Sequence, residues 1–281
     1  MATPAPGRLH VVATPIGNLG DLSPRALETL RSVDVIAAED TRHTQQLLAA
    51  FGARATLLAL HDHNEASQST QLVARMLAGE NIALVSDAGT PLVSDPGFRL
   101  VRAAREAGIV VTPVPGACAA IAALSVAGIA SDRFAFEGFL PNKAAARRER
   151  LQSLAAEPRT LIFYESSHRI GDTLADAASA FGPQRHAVLA RELTKRFETV
   201  LDGPLPALIA RLANDPDQHR GEFVLIIEGA PAGDDDAALV LGRRAFSLLR
   251  EHLPPSQAAR LAAEISGAPR KKLYVMGDTA E

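Results

Sequence analysis

The chain has 281 residues, of which 47% are hydrophobic and 22% are charged. This is the composition of a globular protein with a substantial core, about two domains in length, and it excludes a disordered or fibrous chain. The single cysteine excludes a scaffold of internal disulfides. The formal net charge is −3, so a nucleic acid would have to meet a local basic patch, and the 4% aromatic content disfavours a platform of several stacking rings.

No membrane-directing segment is evident in the sequence. The first ten residues lack an apolar stretch of signal-peptide length. The longest weakly polar run, residues 117–130, is mostly alanine and too short to span a bilayer. We therefore expect a cytoplasmic protein with no membrane partner.

Short apolar runs alternate with helical patterns along most of the chain, which predicts an α/β fold with largely parallel sheets. Ser23-Pro24 is typical of a helix start. Asp95-Pro96 predicts the start of another helix, which Gly108 would end. The predicted strands lie near Leu9–Thr14, Val33–Ala38, Thr56–Leu60, Ile82–Ser86, Ile109–Val114, Arg159–Tyr164, Ala187–Arg191 and Phe223–Glu228.

Two breaks in this pattern predict the domain boundaries. One is the Pro/Gly turn at 113–116, and the other is the Pro, Gly and Asp-rich stretch at 230–236. We expect an N-terminal α/β domain over residues 1–115, a C-terminal α/β domain over 116–232 and a helical tail over 233–281. In the tail, Ser256 precedes a helix that Gly267 stops, and a basic segment follows. The tail fits a nucleic-acid-binding unit and a helical packing element equally well.

Neither a dinucleotide-binding GxGxxG after the first strand nor a P-loop occurs. Instead, turns rich in Gly, Pro and Asp follow the strands, where ligands bind in open α/β sheets. The strongest is 86–97, in which Gly89 would admit a ligand close to the backbone, Asp87 could bind a hydroxyl or a cation, and Asp95 would only cap a helix. The turn at 14–21 and the small-residue run at 115–120 are weaker signals.

Clusters of polar residues, at 39–44, 61–65, 165–169 and 191–198, are denser than core packing requires. His61 and His63 would share one face of a strand, but two imidazoles without a third ligand make an incomplete site, and we predict no metal. Cys118, at an alanine-rich helix start, is interpreted as a small packing residue.

A basic cluster follows the segment GFLP at 138–141. At helical spacing its members form one cationic face, for which a solvated helix is the usual explanation and phosphate contact the functional one. The residues alone thus indicate a two-domain α/β enzyme with a small-molecule cleft and basic groups suited to RNA. The cluster comprises Lys143, Arg147, Arg148 and Arg150.

Eight segments, in order, resemble the tetrapyrrole methylase superfamily and, within it, the ribosomal RNA small subunit methyltransferase I family. They cover the chain from about Leu9 to Gly229, and a helical tail is also typical of that family. The core motifs show no departure from the family pattern. The segments are Thr14–Asp21 (TPIGNLGD), Ala38–Thr44 (AEDTRHT), His63–Glu65 (HNE), Ser86–Gly97 (SDAGTPLVSDPG), Gly138–Pro141 (GFLP), Glu165–Arg169 (ESSHR), Arg191–Glu198 (RELTKRFE) and Gly221–Gly229 (GEFVLIIEG).

The resemblance implies a homodimer that uses S-adenosylmethionine to methylate the ribose 2′-hydroxyl of a cytidine in the decoding region of 16S rRNA, on the assembled 30S subunit. It implies two α/β domains of a non-Rossmann methyltransferase with a small helical C-terminal extension, and a cofactor folded into the cleft between the domains. The matching positions for cofactor contacts are Pro15, Asp87, Gly89, Thr90, Val93, Cys118, Ala119, Tyr164, Ala190 and Phe223.

Methyl transfer to a ribose oxygen requires that the oxygen be positioned and its proton removed, so a base or nearby cations should help. Charged side chains concentrated at the predicted strand ends are the catalytic candidates: Lys195, Glu198, Glu39, Arg42 and His43. The candidates for RNA binding are Lys143, Arg147, Arg148, Arg150, Arg270, Lys271 and Lys272.

Two alternatives stay open at this point. Methylation of a tetrapyrrole or precorrin ring would require a wide hydrophobic trough and gives no role to the basic residues. A non-enzymatic ribosome-binding factor would use the tail while the cleft performed no chemistry.

Overall fold

Five parallel strands form the first sheet of the computed structural model, which describes residues 5–231 and 236–274. The strand order is β3-β2-β4-β1-β5. Every residue of β2 and β4 is buried, because helices cover both faces of the sheet, and this explains their continuous apolar runs. The strands are β1 (Arg8–Val12), β2 (Val35–Ala38), β3 (Thr56–Ala59), β4 (Ile82–Val85) and β5 (Val110–Val114).

Two of the three predicted helix ends around this sheet are confirmed. The Ser23 side chain accepts the backbone N–H of Ala26 at 3.1 Å and caps the first helix, as predicted. Gly108 follows the end of the fourth helix in a left-handed conformation, also as predicted. The helices are α1 (Pro24–Ser32), α2 (Thr41–Ala50), α3 (Glu65–Leu77) and α4 (Phe98–Glu106).

The predicted cap at Asp95 is wrong. Helix α4 starts at Phe98, and the residue before it, Gly97, has φ of 124° and no side chain with which to cap the helix. The backbone N–H groups at the start of α4 have no partner within the helix and are bound by another helix instead. Glu65, at the start of α3, accepts the N–H of Gly97 at 2.9 Å and that of Arg99 at 2.8 Å. The cap therefore comes from a residue about thirty positions earlier in the chain.

The second sheet is mixed, which corrects the expectation of largely parallel sheets. Its order is β6-β7-β10-β8-β9, and only β6 and β7 run parallel. Strands β6 and β9 were not predicted, because each is an edge strand with at least two exposed residues and no continuous apolar run. The strands are β6 (Phe134–Phe139), β7 (Thr160–Ser166), β8 (His186–Arg191), β9 (Thr199–Pro204) and β10 (Glu222–Ile227).

Helices cover this sheet as well. A large core of leucine, isoleucine and phenylalanine side chains packs between the sheet and three of the helices, while α5 packs on the other face. These helices are α5 (Ala119–Val126), α6 (Ala144–Ser153), α7 (Ile170–Phe181) and α8 (Leu205–Asn214).

The chain divides into two compact units, residues 1–228 and residues 229–281. Both sheets lie in the first unit, and the predicted boundary near residue 115 stays a prediction. Residues 232–235 of the predicted linker and residues 275–281 of the tail lie outside the described residues. In the described parts of the chain, no helix combines the length and apolarity needed to cross a membrane.

The second unit is helical over its described residues. It contains α9 (Asp236–Arg250), α10 (Pro255–Ser266) and α11 (Arg270–Tyr274) around a small apolar core of its own. Gly267 ends α10 in a left-handed conformation, as predicted, whereas Ser256 lies inside that helix, which begins at Pro255.

Candidate active site

A cavity of about 430 Å³ lies between the carboxyl ends of the first sheet's strands and one end of the strands of the second sheet. Nine of the ten predicted cofactor positions line it, and the tenth, Pro15, does not, although its neighbour Ile16 does. The nine are Asp87, Gly89, Thr90, Val93, Cys118, Ala119, Tyr164, Ala190 and Phe223.

The loop after β4 forms most of the first wall. Gly89 and Thr14 pair through two backbone hydrogen bonds of 2.8 and 3.1 Å, which draw this loop onto the end of β1. Gly89 has φ of 85°, a conformation that favours glycine, and a Cβ there would make a tight contact of 3.2 Å with Ile16 Cγ2. Leu92 and Ser94 also have positive φ, and such strain concentrates at ligand sites.

Five carboxylates line the cavity, and three of them, Glu39, Asp87 and Asp95, follow strands of the first sheet. Burial raises the pKa of Asp95 to about 6, and the charges of Glu39 and Asp87 act in the same direction, against a hydrogen bond with Ser86. Burial also raises the pKa of Glu39; the hydrogen bond from the Asp87 backbone N–H acts against this rise, and the charge of the Asp87 carboxylate adds to it. Like charges in a partly dry cavity repel each other, so the cluster favours a proton or a cationic ligand.

The backbone fixes two of these carboxylates. Asp87 Oδ1 accepts the N–H of Asp40 at 2.9 Å, and Glu39 Oε2 lies 3.4 Å from the N–H of Asp87. Asp87 Oδ2 is also 3.7 Å from Nδ1 of His43, whose ring is largely exposed. The carboxyl ends of β2 and β4 are thereby tied together at the cavity.

Aromatic rings and small side chains form the second wall. Tyr164 accepts the backbone N–H of Ala120 at 3.1 Å, and burial raises the pKa of its hydroxyl, so the group is a neutral phenol. Phe136 and Phe139 meet the Tyr164 ring edge to face, with centroids 4.9 and 5.6 Å away. This wall offers an apolar surface to a flat ligand.

Glu165 holds the aromatic wall together from behind. Its buried carboxylate accepts hydrogen bonds from the side chains of Arg169 at 2.8 Å and Thr173 at 2.7 Å. Arg169 also donates to the carbonyl of Leu140 at 3.1 Å and to Asn142. The ESSHR segment therefore fixes the GFLP loop that carries Phe139.

Of the five predicted catalytic residues, the structure places only Glu39 in the wall of the cavity. Arg42 is exposed and paired with Asp40 at 2.7 Å. Glu198 accepts the backbone N–H of Thr194 at 2.6 Å. Lys195 Nζ lies 2.9 Å from both Glu192 and Glu222, of which Glu222 lines the cavity.

Lys195 is a cation in this arrangement. Partial burial lowers its pKa, but the ion pairs with Glu222 and Glu192 outweigh that effect, and the pKa of its ammonium is raised. Lys195 is therefore suited to stabilising negative charge near the cavity, and it is not suited to accepting a proton.

The predicted cationic face on α6 is wrong for Arg147. That side chain is buried and its guanidinium is held by Asp176 at 2.7 Å, so it is unavailable to phosphate. Arg148 and Arg150 are about half exposed and face Asp176 at 3.7 Å and Glu137 at 2.5 Å. Lys143, before the helix, is exposed, and so are Arg270, Lys271 and Lys272 of the tail.

Several wall residues were missed by sequence reasoning. Asp95 was assigned to a helix cap, although it lies in the strongest loop motif. Phe139 and Glu222 each belong to a recognised segment, but only the sheet register brings them to the cavity edge. Within the residues that the structure describes, no group of three potential metal ligands occurs, and the rings of His61 and His63 are 6.0 Å apart.

Comparison with known proteins supports the fold. A family model described as tetrapyrrole (corrin/porphyrin) methylases matches residues 8–209, and one described as RsmI C-terminal HTH domain matches residues 234–277. A solved uroporphyrin-III C-methyltransferase from Thermus thermophilus, complexed with S-adenosyl homocysteine, has a TM-score of 0.55 at 19% identity, over 79% of this chain and 97% of that one. The family model over residues 8–209 thus shows that the chain is a member of the tetrapyrrole methylase class.

Closer relatives narrow this class. A protein of Xylella fastidiosa strain Temecula1 is 66% identical over 96% of this chain and 98% of its own length, and one of Escherichia coli O157:H7 is 55% identical over 95% and 93%. Both carry the name ribosomal RNA small subunit methyltransferase I. The chain belongs to the ribosomal RNA small subunit methyltransferase I family of tetrapyrrole methylases.

Proposed function

We propose that this protein transfers a methyl group from S-adenosylmethionine to the small-subunit ribosomal RNA. In finer detail, the acceptor is the ribose 2′-hydroxyl of a cytidine in the decoding region of 16S rRNA, on the assembled 30S subunit. The observation that carries the proposal is the cluster of Glu39, Asp87 and Asp95 on the first wall of the cavity, in a chain whose full-length relatives are named as rRNA methyltransferases.

The cavity fits S-adenosylmethionine in its chemistry and its size. The molecule carries a flat adenine ring, a sulfonium and an ammonium. The cavity has an aromatic wall and several carboxylates. Asp87 and Glu39 are placed to hold the cationic part, and Tyr164 and Phe223 to contact the adenosine. A volume of about 430 Å³ lies in the range of pockets that enclose small ligands.

When bound, S-adenosylmethionine supplies a methyl group on a good, neutral leaving group. The protein must then orient the ribose oxygen and take up its proton. Asp95 is suited to this role, because a carboxylate with a pKa of about 6 is ionised at neutral pH and is a stronger base than an ordinary aspartate. Glu39, whose pKa is also raised, is the second candidate, and Lys195 would support the developing charge from beside Glu222.

Contacts with the RNA would come from exposed basic groups. On the first unit these are Lys143, Arg148 and Arg150; Arg147 is excluded by its burial. On the second unit they are Arg270, Lys271 and Lys272. Neutralising a phosphate-contacting residue lowers the slope of log affinity against log salt concentration by about one. We further propose that the protein acts as a homodimer in the cytoplasm.

Methylation of a tetrapyrrole ring is the second candidate, because the solved relative cited above acts on uroporphyrin. Its likeness at 19% identity concerns the fold. A non-enzymatic ribosome-binding role would leave the strained, carboxylate-lined cavity without a purpose.

The test is transfer of labelled methyl from S-adenosylmethionine to unmethylated 30S subunits, with free 16S rRNA and a precorrin assayed in parallel. Label on the subunit that maps to a cytidine 2′-oxygen is the expected result. Label only on the precorrin would replace the proposal with the tetrapyrrole reaction. Binding of S-adenosylmethionine without label on any substrate would refute the proposed acceptor.

A further inference from the structure

The loop that joins β8 to β9 presents an exposed cation stacked on an exposed aromatic ring. The guanidinium carbon of Arg196 lies 5.5 Å from the centroid of the Phe197 ring, and Phe197 is 63% exposed. Among the residues that the structure describes, no carboxylate pairs with Arg196, whereas its neighbours Lys195 and Arg191 are fully engaged. The pair offers a partner an aromatic face and a cationic group that no carboxylate of the described residues neutralises.

The loop is held rigidly although its tip is exposed. Arg191 is buried and donates to three backbone carbonyls, those of Arg220 at 2.6 Å, Asp217 at 2.8 Å and Phe197 at 3.1 Å. The backbone of Phe197 is thus held in place while its ring stays exposed. Rigid presentation of a contact residue reduces the entropy lost on binding.

Two further residues of this loop adopt a strained backbone. Glu192 has φ of 50° and Thr194 has φ of 65°, a region that residues with a side chain rarely occupy. The strain is maintained by Glu198, which binds the Thr194 N–H at 2.6 Å, and by Lys195, which bridges Glu192 and Glu222. Such strain persists where surrounding contacts enforce a particular conformation, commonly at functional sites.

The sheet register places this loop at the cavity. Arg191 at the end of β8 lies opposite Phe223, and Phe223 lies opposite Glu165 of β7. Phe223 and Glu165 both line the cavity, and the loop's own Leu193 does so too. The Arg196–Phe197 pair therefore lies at the same end of the second sheet's strands that forms the second wall.

We propose that Arg196 and Phe197 bind an unpaired nucleotide of the RNA substrate next to the nucleotide that enters the cavity. The ring offers a stacking face for a base, and the guanidinium offers N–H groups to a phosphate. This inference rests on the proposed function, since it takes RNA to be the substrate. It adds a recognition element in the first unit that is independent of the tail.

The chain offers a matched control at the opposite end of the same sheet's strands. Arg133 and Phe134 form the same dipeptide, Phe134 is 40% exposed, and Phe134 starts β6 beside Thr160, the first residue of β7. The end of the sheet at which Phe134 lies contributes no residue to the cavity wall, since β6 reaches the cavity only at its other end, through Phe139. Arg133→Ala and Phe134→Ala therefore remove the same groups away from the site.

The experiment compares Arg196→Ala and Phe197→Ala with wild type and with these controls. Co-sedimentation with unmethylated 30S subunits measures binding, and methyl transfer measures KM and kcat. We expect the KM and the dissociation constant for 30S to rise about tenfold in each variant, a loss in the range of one stacked base or one phosphate contact. Phe197→Trp, which keeps a ring, is expected to retain binding, and S-adenosylmethionine affinity is expected to stay unchanged.

The outcomes separate this inference from the proposed function. If wild type binds 30S and Phe197→Ala binds equally well, the inference is wrong whatever the enzyme methylates. If wild type binds 30S without transferring label, the proposed function fails, and the binding comparison still decides the inference. Loss of 30S binding that accompanies dissociation of an oligomer, measured by light scattering, would assign Phe197 to a contact with a second copy of the chain and overturn the RNA contact.

Discussion

The side chain of Lys195 lies directly against the α-carbon of Gly17, so that a Cβ at position 17 would overlap the Lys195 Cγ and stand 3.0 Å from Thr194 Oγ1. Gly17 belongs to the turn after β1, and Lys195 to the loop after β8. The contact joins loops from the two sheets beside the cavity, and it explains why glycine occupies position 17 although its φ is not positive.

Gly17→Ala is expected to destabilise the protein by about 1–3 kcal/mol, the usual cost of overpacking. The added methyl group must displace the Lys195 stem, and with it the ion pairs to Glu192 and Glu222. Urea unfolding of Gly17→Ala, Lys195→Ala and the double variant measures the coupling. We expect Lys195→Ala to relieve most of the cost of Gly17→Ala; strictly additive losses would refute the contact.

Glu65→Ala is expected to weaken both stability and cofactor binding. The carboxylate caps α4 through the N–H groups of Gly97 and Arg99, and loss of a cap costs about 1–2 kcal/mol. The loop immediately before α4 lines the cavity, so S-adenosylmethionine affinity falls as well, which isothermal titration calorimetry measures. Glu106→Gln, which changes an exposed carboxylate at the other end of α4, is the control. Unchanged affinity in Glu65→Ala would show that the cap does not shape the cavity.

Affinity for S-adenosylmethionine is expected to rise with pH and to level off above about 6, the pKa of Asp95. Below that pKa the Asp95 carboxylate is protonated and attracts a cationic ligand less. For one titrating group the change is at most about tenfold per pH unit. Calorimetry from pH 5 to pH 8, in buffers of different ionisation enthalpy, also measures the protons released. A flat profile, or tighter binding at low pH, would contradict the role of the carboxylate cluster.

Asp95→Asn is expected to stabilise the free protein at neutral pH while lowering methyl transfer. The folded pKa of about 6 lies above the reference value of 3.8, so the native state binds the proton more tightly and stability falls as pH rises between these values. The neutral amide removes that penalty. We expect a gain of about 1 kcal/mol, or about 2–4 °C in Tm, by thermal unfolding at pH 7.5. A lower Tm than wild type would mean that the ionised carboxylate stabilises the fold.

Gly242→Ala is expected to destabilise the helical tail alone. A Cβ there would stand 2.7 Å from Ser266 Oγ and 3.1 Å from Ala268 Cβ. The Ser266 hydroxyl cannot move freely, since it donates to the Ala262 carbonyl at 2.6 Å and accepts the Ala268 N–H at 3.1 Å. Hydrogen exchange should show faster opening of α9 and α10 with unchanged S-adenosylmethionine affinity. Unaltered exchange in these helices would show that the contact between Gly242 and Ser266 leaves room for a methyl group.

Much of the site was predictable because its signals are local. The positive φ of Gly89 favours glycine, and the loop in which it lies follows a buried apolar strand. The same locality made the eight segments legible as a family pattern. Asp95 shows the limit, because an aspartate before a proline is locally a helix cap, and nothing in the neighbouring residues reveals Glu65 as the cap actually used.

The buried strands, the helix ends at Ser23, Gly108 and Gly267, the family and nine residues of the cavity wall could be predicted from the sequence alone. Those features depend on side-chain periodicity, backbone conformation and short motifs, all of which a few consecutive residues specify. Three features of the charged residues appear only in the tertiary structure. Arg147 is buried against Asp176, and Lys195 is a cation. Asp95 lies with Glu39 and Asp87 in one cavity. Burial and ion pairing are set by groups distant in sequence, and these groups decide which charged side chains remain free to act.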